Sequence, residues 1–181
     1  MGLVIAVCGM PASGKGEFAK ILASRGVPVC SMGDLVREEV KHLGLEEGPN
    51  VFGQVASELR AEYGDDVLAK RLISEIDNKL TEASIVLIEG LRGTAEKEVF
   101  KAHWGESFLT VAITASTEVR FQRVLSRNRS EDGDLISFNQ RDERERGWGL
   151  GKLIDQSDIV IANNDNIGDF NQEVSRWLDT L

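Results

Sequence analysis

Gly9-Met-Pro-Ala-Ser-Gly14-Lys15-Gly16 sets a lysine directly behind the second of two glycines that are separated by four residues. Glycines so spaced let the backbone curl until several N–H groups face one point. A helix start behind them adds positive potential, and the lysine adds a compact charge. That combination holds phosphate. The segment fits G-x-x-x-x-G-K, but Gly16 stands where the pattern has the serine or threonine that holds magnesium.

Three other stretches carry side chains suited to the same chemistry. In VCSMGDLVR (29–37), Arg37 has the planar fork that grips phosphate. A helix capped by Ser31 or Asp34, with Arg37 on its wet face, is the competing reading. In IVLIEGLRGT (85–94), Glu89 ends an apolar run, the place where a phosphate-loop enzyme keeps the carboxylate that orders magnesium. Arginines then crowd one region: Arg120, Arg123, Arg127, Arg129, Arg141, Arg144 and Arg146. Phosphoryl transfer spreads negative charge over equatorial oxygens, which arginines on a closing flap can meet. Asp142, Glu143 and Glu145 alternate with them, so an exposed salt-bridged helix is the alternative there.

The elements that must position these groups are legible. Val- and Ile-rich apolar runs at 3–8, 27–30, 84–89, 107–113 and 157–162 are too short for buried helices and predict strands. Helical spacing predicts helices over 15–24, 34–43, 51–62, 65–80, 94–103, 116–127 and 167–180. The alternation predicts an α/β fold with a parallel sheet between helical layers. Residues 128–138 are polar and loop-like, a candidate movable flap or a solvated loop.

Composition narrows the function classes. At 181 residues the chain suits one domain, and its net charge of −9 argues against a general nucleic-acid or anionic-membrane binder. No apolar stretch is long enough to span a bilayer, the opening run is too short for a signal peptide, and a cytoplasmic location is expected. Cys8 and Cys30 read as buried free thiols.

The glycine loop, the 29–37 segment and the 85–94 segment together resemble the nucleoside-monophosphate kinases. The chain resembles more closely an archaeal family of adenylate-kinase-like proteins related to dephospho-CoA kinase, over essentially its whole length. The resemblance implies a three-layer α/β/α fold of P-loop nucleoside-kinase type, with a five-stranded parallel sheet and a short lid. It implies one domain over 1–181, an acceptor-binding insertion at about 31–80 and a lid at about 128–140. ATP would bind through Gly9, Met10, Pro11, Ala12, Ser13, Gly14, Lys15, Gly16 and Glu17, with Arg123 against the base. Lys15, Arg127, Arg141 and Arg144 would act on the transferred group. Ser31, Gly33, Arg37 and Arg92 would bind the acceptor, and Asp34 and Glu89 would hold Mg²⁺ through water.

The chain departs from adenylate kinases in five respects. Ala12 replaces a loop glycine, Glu17 a threonine and Met32 a threonine, the arginine of the 85–94 segment comes one position early, as Arg92, and no glutamine stands where adenine of the acceptor is read. The implied function is transfer of the γ-phosphate of ATP to a small nucleotide-like acceptor, a nucleoside monophosphate first. Transfer to a hydroxyl, as in dephospho-CoA kinase, and a regulatory nucleotide-binding ATPase are the alternatives. No nucleic-acid or membrane partner is expected, and the oligomeric state is open.

Overall fold

A computed structural model describes residues 2–48, 50–127 and 134–181. Five parallel strands, β1 (Leu3–Cys8), β2 (Val29–Ser31), β3 (Ile85–Glu89), β4 (Phe108–Thr114) and β5 (Ile159–Ala162), stand in the order β2-β3-β1-β4-β5. Successive side chains of β1 point to opposite faces, and both faces are apolar. Val4, Ala6 and Cys8 enter one core, and Ile5 and Val7 the other, as a parallel sheet covered on both sides requires.

On one side lie α2 (Met32–His42), α3 (Val51–Tyr63), α4 (Val67–Leu80), α5 (Thr94–Trp104) and α8 (Leu150–Asp155); α1 (Lys15–Ser24) and α9 (Ile167–Leu178) cover the other. In α4 the buried stripe Val67, Leu68, Leu72 and Ile76 recurs at helical spacing, which is why that segment folds as it does. Helices α6 (Thr117–Arg127) and α7 (Leu135–Gly147) complete the order. This is the expected five-stranded P-loop kinase-type fold.

The register decides where chemistry can gather. Val7 pairs with Glu89 on one side and Val111 on the other, while Ser31 also pairs with Glu89. The ends of β1, β2 and β3 therefore share one edge of the sheet. Chain order reverses about β1, so the crevice at its carboxyl end is the topological switch point.

Several boundaries differ from expectation, each for a local reason. Strand β2 begins at Val29, because Pro28 has no N–H to give the ladder and enters it only as an acceptor from Leu87. Helix α7 starts at Leu135, inside the stretch 128–138 that reads as loop, so Arg141 lies mid-helix. Asp134 accepts from Ser137 N–H at 2.9 Å and caps that earlier start. The short α8 was not foreseen. Of the expected lid, 128–133 lie outside the described residues, Asp134 caps α7 and 135–140 form its first turns. No helix among the described residues is long and apolar enough to cross a membrane.

Candidate functional site

The glycine loop joins β1 to α1 and is braced from behind. Asn163, 4% exposed just past β5, donates from Nδ2 to Ser13 O at 2.9 Å. Arg123 Nη1 donates to Ser13 O at 3.2 Å, and its Nη2 donates to Asn163 O at 2.8 Å. Arg120 reaches Pro11 O at 3.1 Å while gripping both carboxylate oxygens of Asp142, at 2.9 and 2.6 Å. Carbonyls on the convex side are thus engaged, whereas the first N–H groups of a helix have no intrahelical partners and are offered forward.

The loop tolerates almost no substitution at Gly14. Its φ is 116°, and an added Cβ would lie 2.2 Å from Asn163 Nδ2. Ala12 adopts φ 62°, the left-handed conformation a glycine would take freely, at a cost of about 1–2 kcal/mol. The loop shape is kept although that glycine is not.

Lys15 is folded back, donating from Nζ to Gly9 O at 2.5 Å and to Met10 O at 3.0 Å. Burial lowers its pKa to about 7 against the attraction of Glu145, and Arg92 and Arg141 push the same way as burial. A polyphosphate would restore the charge. Binding of magnesium–ATP at pH 8 is therefore expected to take up close to one proton. Titration calorimetry in two buffers of different ionisation enthalpy reads this directly. A binding heat independent of buffer would mean that Lys15 is charged beforehand.

Across the switch point lies a cleft of about 660 Å³, mouth included, between α2, α3 and α7. Its apolar wall is Met32, Val36, Phe52, Ala56 and Leu68; its charged wall is Arg37, Arg92, Arg141, Arg144 and Glu145, with Trp148 nearby. Arg144 lies against the backbone of Gly53, where a Cβ would come within 2.1 Å of its Cζ. Its Nη1 donates to Asn50 Oδ1 at 3.2 Å. Arg60 lies over the Trp148 ring at 4.3 Å and pairs with Glu96 at 2.6 Å, both buried. Glu96 also accepts the backbone N–H groups of Arg92 and Gly93, each at 3.0 Å, and so fixes the turn that carries Arg92.

Of the residues singled out from sequence, Gly33, Arg37, Arg92, Arg141 and Arg144 meet in this cleft. Gly9 to Glu17 form the loop and first turn of α1, and Gly14, Glu17 and Arg123 line a second recess with Asn163, Asp165 and Ile167. Glu17 pairs with Lys20 at 3.3 Å. Glu89 ends β3 beside Gly16, whose added Cβ would lie 3.8 Å from Glu89 Oε1. Ser31 precedes α2 without a side-chain cap, and Asp34 is exposed, paired with Arg37 at 2.6 Å. Arg127 ends α6.

The exposed-helix alternative for α7 fails at two positions. Asp142 is 8% exposed and Glu145 1%, each held by arginine, while Glu143 and Arg146 face solvent. Glu145 Oε1 accepts from Arg92, and from Arg141 Nε at 3.2 Å. Burial pushes the Glu145 carboxyl up, but Arg92, Arg141 and Lys15 together bring it below its ordinary value. Glu145, Glu96, Arg60 and Asn50 are site-forming residues that sequence reasoning missed. Arg141-x-x-x-Glu145 spacing was the only visible trace, and it equally suits a surface pair.

Comparison with known proteins agrees with this architecture. Residues 5–148 match the AAA domain family. A UPF0200 protein of Methanosarcina barkeri is 44% identical over 172 residues, covering 94% of this chain and 91% of the relative. One from Halobacterium salinarum is 37% identical over 171 residues, covering 94% and 90%. Among solved structures, TT1252 from Thermus thermophilus superposes with a TM-score of 0.65 at 21% identity, over 99% and 98% of the two chains. Shikimate kinase from Acinetobacter baumannii, in complex with shikimate, gives 0.62 at 16% identity, over 99% and 94%. Those structural likenesses speak for a P-loop kinase fold alone. With relatives so similar along nearly its full length, the chain belongs to the UPF0200 family of archaeal P-loop proteins.

Proposed function

We propose that the protein transfers the γ-phosphate of ATP to a small, anionic, nucleotide-like acceptor. One observation supports this reading: the glycine loop and the arginine-lined cleft lie side by side at the carboxyl ends of β1 and β3, where the charges of Glu145, Arg92 and Arg141 bear on Lys15. A switch that only binds nucleotide has no use for a second cleft there. ATP would lie with its phosphates in the Gly9–Gly16 loop and its base in the recess beside Arg123 and Asn163. Arg37, Arg92 and Arg144 would hold the acceptor, with Gly33 allowing close approach. Lys15, Arg127 and Arg141 would neutralise charge that develops during transfer.

A magnesium ion suits the residues present. Gly16 supplies no hydroxyl, but its missing side chain leaves room in front of the Glu89 carboxylate. Among the described residues no group of three or more His, Cys, Asp or Glu side chains could hold a metal by itself. The ion would thus depend on the bound ATP as well as the protein, with Glu89 ordering its waters, and it would supply neutralisation of polyphosphate charge. Asp34 would join only by leaving Arg37.

Glu89→Gln should lower the transfer rate by about 10²-fold or more while changing ATP affinity less than about threefold, because its charge matters most in the transition state. Equal rates in parent and variant across magnesium concentrations would reduce Glu89 to a strand-end charge. The general reading is tested with labelled ATP and a panel of nucleoside monophosphates, following label into the acceptor. Hydrolysis to phosphate without labelled acceptor would sink it in favour of a regulatory ATPase.

A further inference from the structure

The acceptor cleft contains buried polar atoms that the protein leaves unsatisfied. Glu145 lines the cleft, and its Oε1 is taken by Arg92 and Arg141. Its Oε2 is buried and has no hydrogen-bond partner among the described residues; Arg144 Nε is in the same condition. A buried carboxylate oxygen without a donor is costly, and in a cleft the missing donor is most simply the ligand's.

Charge is also graded along the cleft. At the Lys15 end, Arg92 and Arg141 share one carboxylate, and their side chains are only 24% and 20% exposed. At the other end Arg37 is 52% exposed, and Asp34, its partner, is on the surface at 65%. A phosphate acting as acceptor would bring its own negative charge against ionised Glu145 and offer Oε2 no proton. A hydroxyl satisfies Oε2 and adds no charge.

Resting on the phosphotransferase reading, we infer that the acceptor takes the phosphoryl group on a hydroxyl hydrogen-bonded to Glu145 Oε2, while the acceptor's own anionic group lies outward on Arg37. The hydroxyl oxygen forms the new bond to the γ-phosphorus as the bond from that phosphorus to the β–γ bridging oxygen breaks. ADP departs with the electron pair. The hydroxyl proton passes to Glu145 Oε2 and from there to water, which makes Glu145 a catalytic residue. Because the carboxyl stays ionised well below neutrality, it serves mainly to orient the hydroxyl, which suits a loose transition state.

Nucleoside 5′-monophosphates test this well, since each carries both a phosphate and hydroxyls. The full chain is incubated with magnesium–ATP and, separately, CMP, UMP and GMP, and the isolated acceptor product is examined by phosphorus NMR. Two uncoupled phosphomonoester signals are expected, the mark of a bisphosphate. Glu145→Gln should reduce that product's rate of formation by about 100-fold or more, with Glu145→Asp recovering part of it. Coupled anhydride doublets would overturn the hydroxyl assignment while leaving the phosphotransferase reading intact. Phosphate release with no acceptor product would overturn both. Bisphosphate formation undiminished in folded Glu145→Gln would remove Glu145 from the reaction, and should that variant fail to fold, the parent protein's product still decides the acceptor group.

Discussion

Lys15→Met is expected to reduce phosphoryl transfer by about 10³-fold or more while leaving the protein at least as stable as the parent. The first half follows from the proposed function: Lys15 opens α1 directly behind Gly14, and its charge would be the one to meet a γ-phosphate held by the loop. The second half follows from its environment. An ammonium whose pKa burial lowers to about 7, against 10.5 ordinarily, binds its proton less tightly in the native state than in the unfolded chain. Between pH 7 and 10.5 the unfolded chain therefore holds more protons, so the contribution of this group to stability rises with pH and is least favourable below 7. Methionine keeps the stem and removes the charge. Melting temperatures measured from pH 6 to 9 should show the variant gaining most on the parent at the acid end. Undiminished turnover in Lys15→Met would end the phosphate-cradle reading, and a variant that melts earlier at pH 6 would show that the two carbonyl contacts outweigh burial.

Glu96→Ala is expected to cost about 3–5 kcal/mol, the range for breaking a buried ion pair from one side. The side chains of Arg60 and Glu96 are 4% and 0% exposed, so losing the carboxylate leaves a buried guanidinium without its charged partner. The same substitution strands the N–H groups of Arg92 and Gly93. For a chain of this length the loss corresponds to a fall in melting temperature of roughly 6–20 °C. Urea unfolding gives the free energy directly, and a loss below about 1 kcal/mol would mean that water replaces the carboxylate. Activity in the surviving folded fraction should also drop, because the Arg92 turn hangs on Glu96.

Much of the frame was legible before any coordinates. The strand at 3–8, the loop at 9–16 and the helix from Lys15 follow from an apolar run, glycine spacing and a helix start, all of them local signals. Helix α4 announces itself by period. The ends were less secure, and α7 shows why: the polar stretch before Arg141 looks like loop until Asp134 is known to cap it. The 29–37 and 85–94 segments were visible too, and the structure brings their Arg37 and Arg92 to one cleft.

The roles of the acids in α7 were hidden. Asp142, Glu143 and Glu145 have the same chemistry and lie within four residues, and their alternation with arginines suits a wet helix face. Which of them turns inward depends on what packs against that helix. Asp142 meets Arg120 from α6, and Glu145 meets Arg92 from the end of β3, partners 22 and 53 residues away. Arg60 and Glu96, separated by 36 residues, are another pair no local pattern reveals.

The sequence by itself determined the phosphate loop, the alternation of strand and helix and the apolar faces of the sheet, because each depends on residues within a turn or two of one another. Tertiary structure alone decided which carboxylates lose water and which guanidiniums they hold. It also left an unsatisfied oxygen on Glu145, which lines the arginine-rich cleft. Burial and charge pairing are properties of neighbours brought together across the chain, and for an ionisable group those neighbours, more than its own identity, set its chemistry.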